Sequence, residues 1–271
     1  MGLERPRRGV MMRAVMIAAA ASWLGAIPLA GSASRLAGPG PEISDSCSDP
    51  VLNTFGLEFR NDQLWTMTQD GTLTRLSNCL PVQVISVQGF RGVATGLGWD
   101  RQRDQFVVTD AKLEEIAVID LRGNVVREFP APGTGSIGAA YDPTRDAYWI
   151  TDFETDSLYA LDAMTGTRVA TFHLEHSHRI AGAAYDATRD AILYQDRIAH
   201  GQCYTISCSS GAVLDSFPVP DTGLNGWEDN AIAPDGRLWI HNFEHQMSFA
   251  FGSATTPVIH ASWGALKRRF R

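Results

Sequence analysis

Seven histidines and a few out-of-place carboxylates are the side chains of this chain equipped for chemistry. His173, His176 and His178 fall within HLEHSH, His200 ends DRIAH, and His241 and His245 bracket HNFEH. Imidazole is both a metal ligand and a general base near neutral pH, which makes His176, His178, His200, His241 and His245 candidate ligand-binding residues. The carboxylates are Glu58, Glu228 and Asp229, the last followed by Asn230. Oxygen donors of this kind suit a divalent cation, with Ca²⁺ the natural choice, and carboxylates crowded together either raise one another's pKa or demand such an ion. Recognised catalytic spacings are missing: the sequence has no GxSxG, no P-loop, no HExxH, and no CxxC or Cys/His zinc pattern.

What must position these residues is a repeat. GLGWDRQRDQFVVTDAKLEEIAVIDLRGNVVREF (96–129), GAAYDPTRDAYWITDFETDSLYALDAMTGTRVATF (138–172) and GAAYDATRDAILYQDRIAHGQCYTISCSSGAVLDSF (182–217) are copies of one unit. GLEFRNDQLWTMTQDGTLTRL (56–76) and DNAIAPDGRLWIHNFEHQMSFAF (229–251) are weaker copies. Equivalent positions at Arg60, Asp100, Asp142, Asp186 and Ala233 are spaced 40, 42, 44 and 47 residues apart. Such a period, with strand-like content, means β units that cannot bury their apolar faces without a neighbour. Inside the unit beginning at Gly138 the hydrophobic period is near two: GAAYD, AYWIT, SLYALD and TRVATFHL read as four strands separated by turns. Four antiparallel strands per unit is the blade of a β-propeller, so the expected fold is an all-β propeller with five visible blades over 55–263. Its last strand is expected in PVIHASW (257–263). Residues 34–54 form a lead-in too short for another blade, and a six-bladed ring is kept as a variant. The ring could close by strand exchange between the termini or by the last hairpin alone.

In this topology the fourth-to-first and second-to-third strand loops share one face, and six of the seven histidines fall in or beside them. The second strands end in Thr68, Asp110, Asp152, Asp196 and Asn242, a series expected to close local turns. The first strands open with Gly56, Gly96, Gly138 and Gly182, small because inner strands converge on the axis, and the fifth has Asp229 there. Two residues on stand Glu58, Gly98, Ala140, Ala184 and Ala231. Glu58 and the Glu228-Asp229-Asn230 run therefore break the pattern in blades that become neighbours when the ring closes, and departures from local rules tend to mark function.

Ahead of the repeats, Arg5, Arg7, Arg8 and Arg13 precede an apolar run from Ala14 to Ala30 and then small residues, as in a secretory signal peptide spanning 1–33. Without it the chain has 19 basic and 29 acidic residues, a net charge of −10, which argues against nucleic acid or an anionic membrane as partner. The one basic cluster, Lys267-Arg268-Arg269-Phe270-Arg271, lies in a terminal tail, 264–271. Four cysteines fit an oxidising compartment. Of their three pairings Cys47–Cys79 is favoured, because it ties the lead-in to the first repeat; Cys203 and Cys208, five apart around a strand end, are too distant if that strand stays extended.

YWITDFETDSLYALDAMTGTRV resembles the YVTN-type propeller repeat, and FVVTDAKLEEIAVIDLRGNVVREF resembles the related NHL repeat, a likeness that covers about residues 55–260. It implies a propeller of the kind found in secreted binding proteins and, in neighbouring families, in lactonases and lyases. WEDNAIAPDGRLWI is loosely similar to a segment of the metal-dependent gluconolactonases, which would put Glu228, Asp229 or Asn230 near a metal position. That family's early Glu-Gly-Pro-x-Trp motif is replaced here by NTFGLEF, which counts against lactonase activity. The expectation is a secreted or periplasmic binding module for a small molecule or a protein at the loop-rich face, with no integral membrane segment in the mature form. The alternative is a divalent-metal hydrolase at the channel mouth.

Overall fold

The computed structural model describes residues 43–48, 53–197, 201–219 and 226–253. A first strand, β1 (Ile43–Ser48), stands apart from the sequential blades. Blade one is β2 (Thr54–Arg60), β3 (Gln63–Thr68), β4 (Thr72–Ser77) and β5 (Leu80–Ser86). Blade two is β6 (Ala94–Asp100), β7 (Gln105–Asp110), β8 (Glu115–Ile119) and β9 (Val125–Pro130). Blade three is β10 (Ser136–Asp142), β11 (Ala147–Asp152), β12 (Ser157–Asp162) and β13 (Arg168–His173). Blade four is β14 (Ile180–Asp186), β15 (Ala191–Asp196), β16 (Gln202–Ser207) and β17 (Val213–Pro218). Blade five contributes β18 (Trp227–Ile232), β19 (Arg237–Asn242) and β20 (Met247–Ser253). The fourth strand of blade five is β1, paired antiparallel with β20. The result is five four-stranded antiparallel sheets, a five-bladed β-propeller closed by strand exchange between the termini. PVIHASW (257–263), expected as that outer strand, lies outside the described residues, and β1 holds the place beside β20.

Burial explains the sequence pattern strand by strand. In blade three β11 is buried along its whole length, because neighbouring blades cover both its faces, whereas the outer β13 alternates exposed and half-buried residues. Inner strands therefore read as continuous apolar runs and outer ones as alternating. Between blades two and three, Val107, Ile116, Tyr148 and Ile150 interdigitate in one core cluster; between blades three and four, Trp149, Leu158, Ile192 and Tyr194 do the same. The Cys47–Cys79 disulfide joins β1 to the turn between β4 and β5, so it bonds the closing strand of blade five to blade one. Cys203 and Cys208 are free and buried.

At the axis the glycines of β6 and β10 leave no room for a side chain. A Cβ on Gly138 would collide with the Gly182 backbone, and one on Gly96 with the Ile137 carbonyl. Each of β2, β6, β10, β14 and β18 has a register irregularity at this level, where the strand bends past the axis.

Candidate functional site

The fifth blade brings a carboxylate where the others bring glycine, and the structure uses it. Asp229 is fully buried; its Oδ2 accepts the N–H of Leu57 (2.9 Å) from blade one and of Leu97 (3.0 Å) from blade two, and its Oδ1 accepts its neighbour Asn230 N–H (3.0 Å). Burial holds this carboxyl well above the ordinary carboxylate range, and the nearby Glu58 carboxyl adds to the rise. Asp229 is thus a polar pin through the axis.

Glu58 sits one step further along. Its Oε1 accepts the Phe59 N–H (2.6 Å) and its Oε2 the Trp99 N–H (3.2 Å), which again joins blade one to blade two. Burial pushes its pKa up to about 8, against partial relief from those two N–H groups and from Arg101. At neutral pH Glu58 is therefore mostly a neutral acid, able to donate as well as accept a hydrogen bond. The half-buried Glu58 lines a cavity of about 330 Å³ to which every blade contributes, among them Trp99, Arg101, Tyr141, Tyr185 and Ile232. Asn61, Asp62 and Pro234, all in turns between first and second strands, help to line it, so the cavity opens at the C-terminal ends of the inner strands.

A ladder of ion pairs holds the turns of that face. Asp100 accepts the N–H groups of Gln102 and Arg103 (both 3.0 Å) and pairs with the Arg103 guanidinium (2.8 Å), which reaches on to Asp146 of the next blade. Arg145 repeats this with Asp142 (2.8 Å) and Asp190 (2.6 Å), and Arg60 bridges to Asp104 (2.7 Å). These arginines hold Asp104, Asp146 and Asp190 below the usual carboxylate pKa. Tyr141 and Tyr185 direct their hydroxyls to Asp146 (2.9 Å) and Asp190 (3.2 Å).

The other candidate residues are dispersed. Glu228 turns to Arg197 (2.8 Å), with its pKa raised to about 7 by burial against the pull of that arginine. The Asn230 side-chain amide donates to the Leu193 carbonyl at 3.4 Å. His241 is buried, with Nε2 at 2.9 Å from the Thr54 carbonyl oxygen and Nδ1 at 3.2 Å from the Ser248 hydroxyl. His176 contacts the Tyr194 hydroxyl (2.9 Å), His178 reaches Asp156 (3.4 Å), and His245 folds onto Asn242 (3.1 Å). His200 lies outside the described residues. These imidazoles belong to separate local networks at the end of the propeller opposite the cavity. The second-strand series closes turns: Asp152 accepts N–H groups from Gly135, Glu154 and Thr155, and Asp110 those from Val93, Lys112 and Leu113.

A divalent cation needs several oxygen or nitrogen donors converging on one point. Among the described residues, the His, Cys, Asp and Glu atoms that lie within 4.8 Å of one another in a group of three are those of Asp142, Asp190 and Cys208. Arg145 already bridges those two carboxylates. The oxygens of Asp229 and Glu58 accept backbone N–H groups and Glu228 Oε1 pairs with Arg197, leaving Glu228 Oε2 and Asn230 Oδ1 buried without a hydrogen-bond partner among the described residues, but Glu58, Glu228 and Asp229 do not form such a group. The donor set Glu58, Glu228, Asp229 and Asn230 does not fit a shared divalent ion in this geometry.

Trp99 and Arg101 escaped the sequence reading. Arg101 had a signal: the repeat position just past the end of the first strand holds Asn61, Pro143, Ala187 or Pro234 in the other blades.

Fold and site together define a five-bladed β-propeller with an axial cavity on the face of its first-to-second strand turns. No known family model matches the chain. The uncharacterized protein YncE of Salmonella typhi is 29% identical over 123 residues, which are 44% of this chain and 34% of YncE. The chain thus matches about a third of the length of that curated relative. Among solved structures, glutaminyl cyclase of Myxococcus xanthus superposes with a TM-score of 0.63 at 16% identity, over 79% of this chain and 97% of that one. Virginiamycin B lyase of Staphylococcus aureus gives 0.51 at 12% identity, over 74% of this chain and 67% of that one. A nidogen/laminin complex gives 0.53 at 16% identity, over 72% and 74%. At these identities the likeness is one of fold.

Proposed function

We propose that this chain is an exported propeller that binds a small molecule in the axial cavity, with Glu58 as the polar anchor at its floor. The observation that carries this reading is a titratable carboxyl, raised to about 8, lining an axial cavity of about 330 Å³ in which aromatic and apolar side chains are mixed with the polar Asn61, Asp62 and Arg101. A cavity of that size with a few polar groups is what small-ligand sites share. Export is supported by the character of residues 1–33 and by the Cys47–Cys79 disulfide, and the YVTN and NHL likeness of the middle repeats agrees with a secreted binding role. The fold neighbours include enzymes as well as a nidogen/laminin complex, so they do not choose between binding and catalysis. A divalent-ion hydrolase is not favoured, because Glu58, Glu228 and Asp229 do not converge on one point.

Crystals soaked with a library of small fragments test the proposal. Fragment density in the cavity against Glu58 is expected. Density confined to the histidine-bearing face would overturn it in favour of that face.

A further inference from the structure

Resting on the cavity as the ligand site, we propose that its ligand is a small organic anion with an apolar body, its carboxylate paired with Arg101 and hydrogen-bonded by the Glu58 carboxyl. Glu58 stands where the other blades have Gly98, Ala140, Ala184 and Ala231, and Arg101 stands where they have Asn61, Pro143, Ala187 and Pro234. These two independent departures, from blades one and two, line the same cavity.

The arginines on this face differ in their partners. Arg60, Arg103, Arg145 and Arg189 are each held by an aspartate. Arg101 lies two residues from Arg103, yet among the described residues no carboxylate is within ion-pair distance of it. It is an exposed cation at the cavity with its hydrogen-bond donors open to a guest. A guanidinium in that state favours a carboxylate, which it can grip with two parallel hydrogen bonds.

Glu58 completes the polar end. Both its oxygens already accept a backbone N–H, so a proton on it occupies a remaining lone pair and is available to a guest acceptor. The groups around Glu58 are Asp229 of β18 on the axial side, Arg101 after β6, and the exposed Asp62 after β2, with Tyr141 and Tyr185 turning their hydroxyls to Asp146 and Asp190. Burial keeps Glu58 from ionising easily, and Arg101 gives the guest its counter-charge. The rings of Trp99, Tyr141 and Tyr185 with Ile232 leave an apolar wall for the rest of the molecule. The sign of the pH effect follows. Below pH of about 8 Glu58 is protonated and donates, and above it the ionised carboxylate repels the guest.

Isothermal titration with benzoate and with benzylammonium, as matched probes of opposite charge, decides the matter on wild type, Arg101→Gln, Glu58→Gln and Ala184→Phe. Benzoate is expected to bind wild type at pH 6.5 and to weaken by about tenfold or more at pH 9.5, the scale of one hydrogen bond to a charged group. Glu58→Gln, whose amide still donates, is expected to bind with the same Kd at both pH values. Arg101→Gln, an exposed change that spares the core, is expected to lose about tenfold at both, and Ala184→Phe to lose binding by filling the cavity. Preference for benzylammonium, strengthening as pH rises, would overturn the anion while leaving the cavity as the site. Benzoate binding indifferent to all three substitutions would overturn both. Failure of both probes to bind, with fragments still seen in the cavity, would overturn the ligand class alone.

Discussion

Replacing Glu58 with glutamine separates the cost of its buried charge from the rest of the fold. In the unfolded chain Glu58 titrates near 4.5, and in the fold near 8. Between those values the native state holds a proton that the unfolded state has released, so its stabilising contribution is fully present below about pH 4.5 and is lost as pH rises through 8. The displacement of about 3.5 pH units corresponds to about 5 kcal/mol at 1.36 kcal/mol each. Contact with water through the cavity reduces this to an expected swing on the order of 3 kcal/mol. The glutamine of Glu58→Gln cannot ionise, but its NH₂ must face one of the two N–H groups that Glu58 accepts, a penalty of about 1–2 kcal/mol that does not vary with pH. The variant should therefore be less stable than wild type at pH 4.5 and more stable at pH 9. For a domain of this size the swing amounts to a relative shift in Tm of roughly 6–12 °C. Calorimetric melting of both proteins from pH 4.5 to 9 measures it. A difference that stays constant with pH, or moves the other way, would refute the reasoning that burial dominates this carboxyl.

Cys79→Ser opens a loop with a sequence separation of 32 residues and should cost about 3–4 kcal/mol by chain entropy, a drop in Tm of roughly 7–14 °C, matched by reduction of the wild type and measured by the same melts. Gly138→Ala places a Cβ against the Gly182 backbone and should destabilise by about 3 kcal/mol, read from denaturant unfolding; a neutral effect would mean that the inner strands can separate. Addition of millimolar Ca²⁺, or of EDTA, should leave Tm unchanged within about 1 °C, since Glu58, Glu228 and Asp229 do not converge on one point; a marked rise with Ca²⁺ would show that they rearrange around an ion.

The blades were legible because each repeats one solution to the same packing problem: apolar inner strands, turns punctuated by Asp and Gly, and glycine where backbones meet at the axis. The outer strand of blade five was not, because β1 is a polar run, ISDSCS, with little hydrophobic period to announce it, whereas PVIHASW looks like a strand and follows β20 in order. Glu58 and Asp229 were found as lapses in the repeat, and the structure brings those two together. Glu228 was grouped with them by adjacency, but side chains alternate along a strand, and it is Arg197 that it meets. The histidines could be assigned to loops but not to partners, since each is engaged by residues of its own neighbourhood: Thr54 for His241, Tyr194 for His176, Asn242 for His245. Arg101 could have been found by the test that found Glu58, had the turn residues been compared position by position.

Closure by β1 fixes an order in time as well as in space. The strand that finishes the ring is made first and its partner β20 last, so a chain emerging N-terminus first must leave residues 43–48 without their native sheet until nearly all the rest has appeared. A polar segment tolerates that wait better than an apolar one, which would offer a bare edge to other chains. Cys47 precedes Cys79 by 32 residues, and in the fold the two lie on either side of the seam between blades five and one. Once blade five has docked on blade one, the Cys47–Cys79 bond holds that last seam of the ring shut.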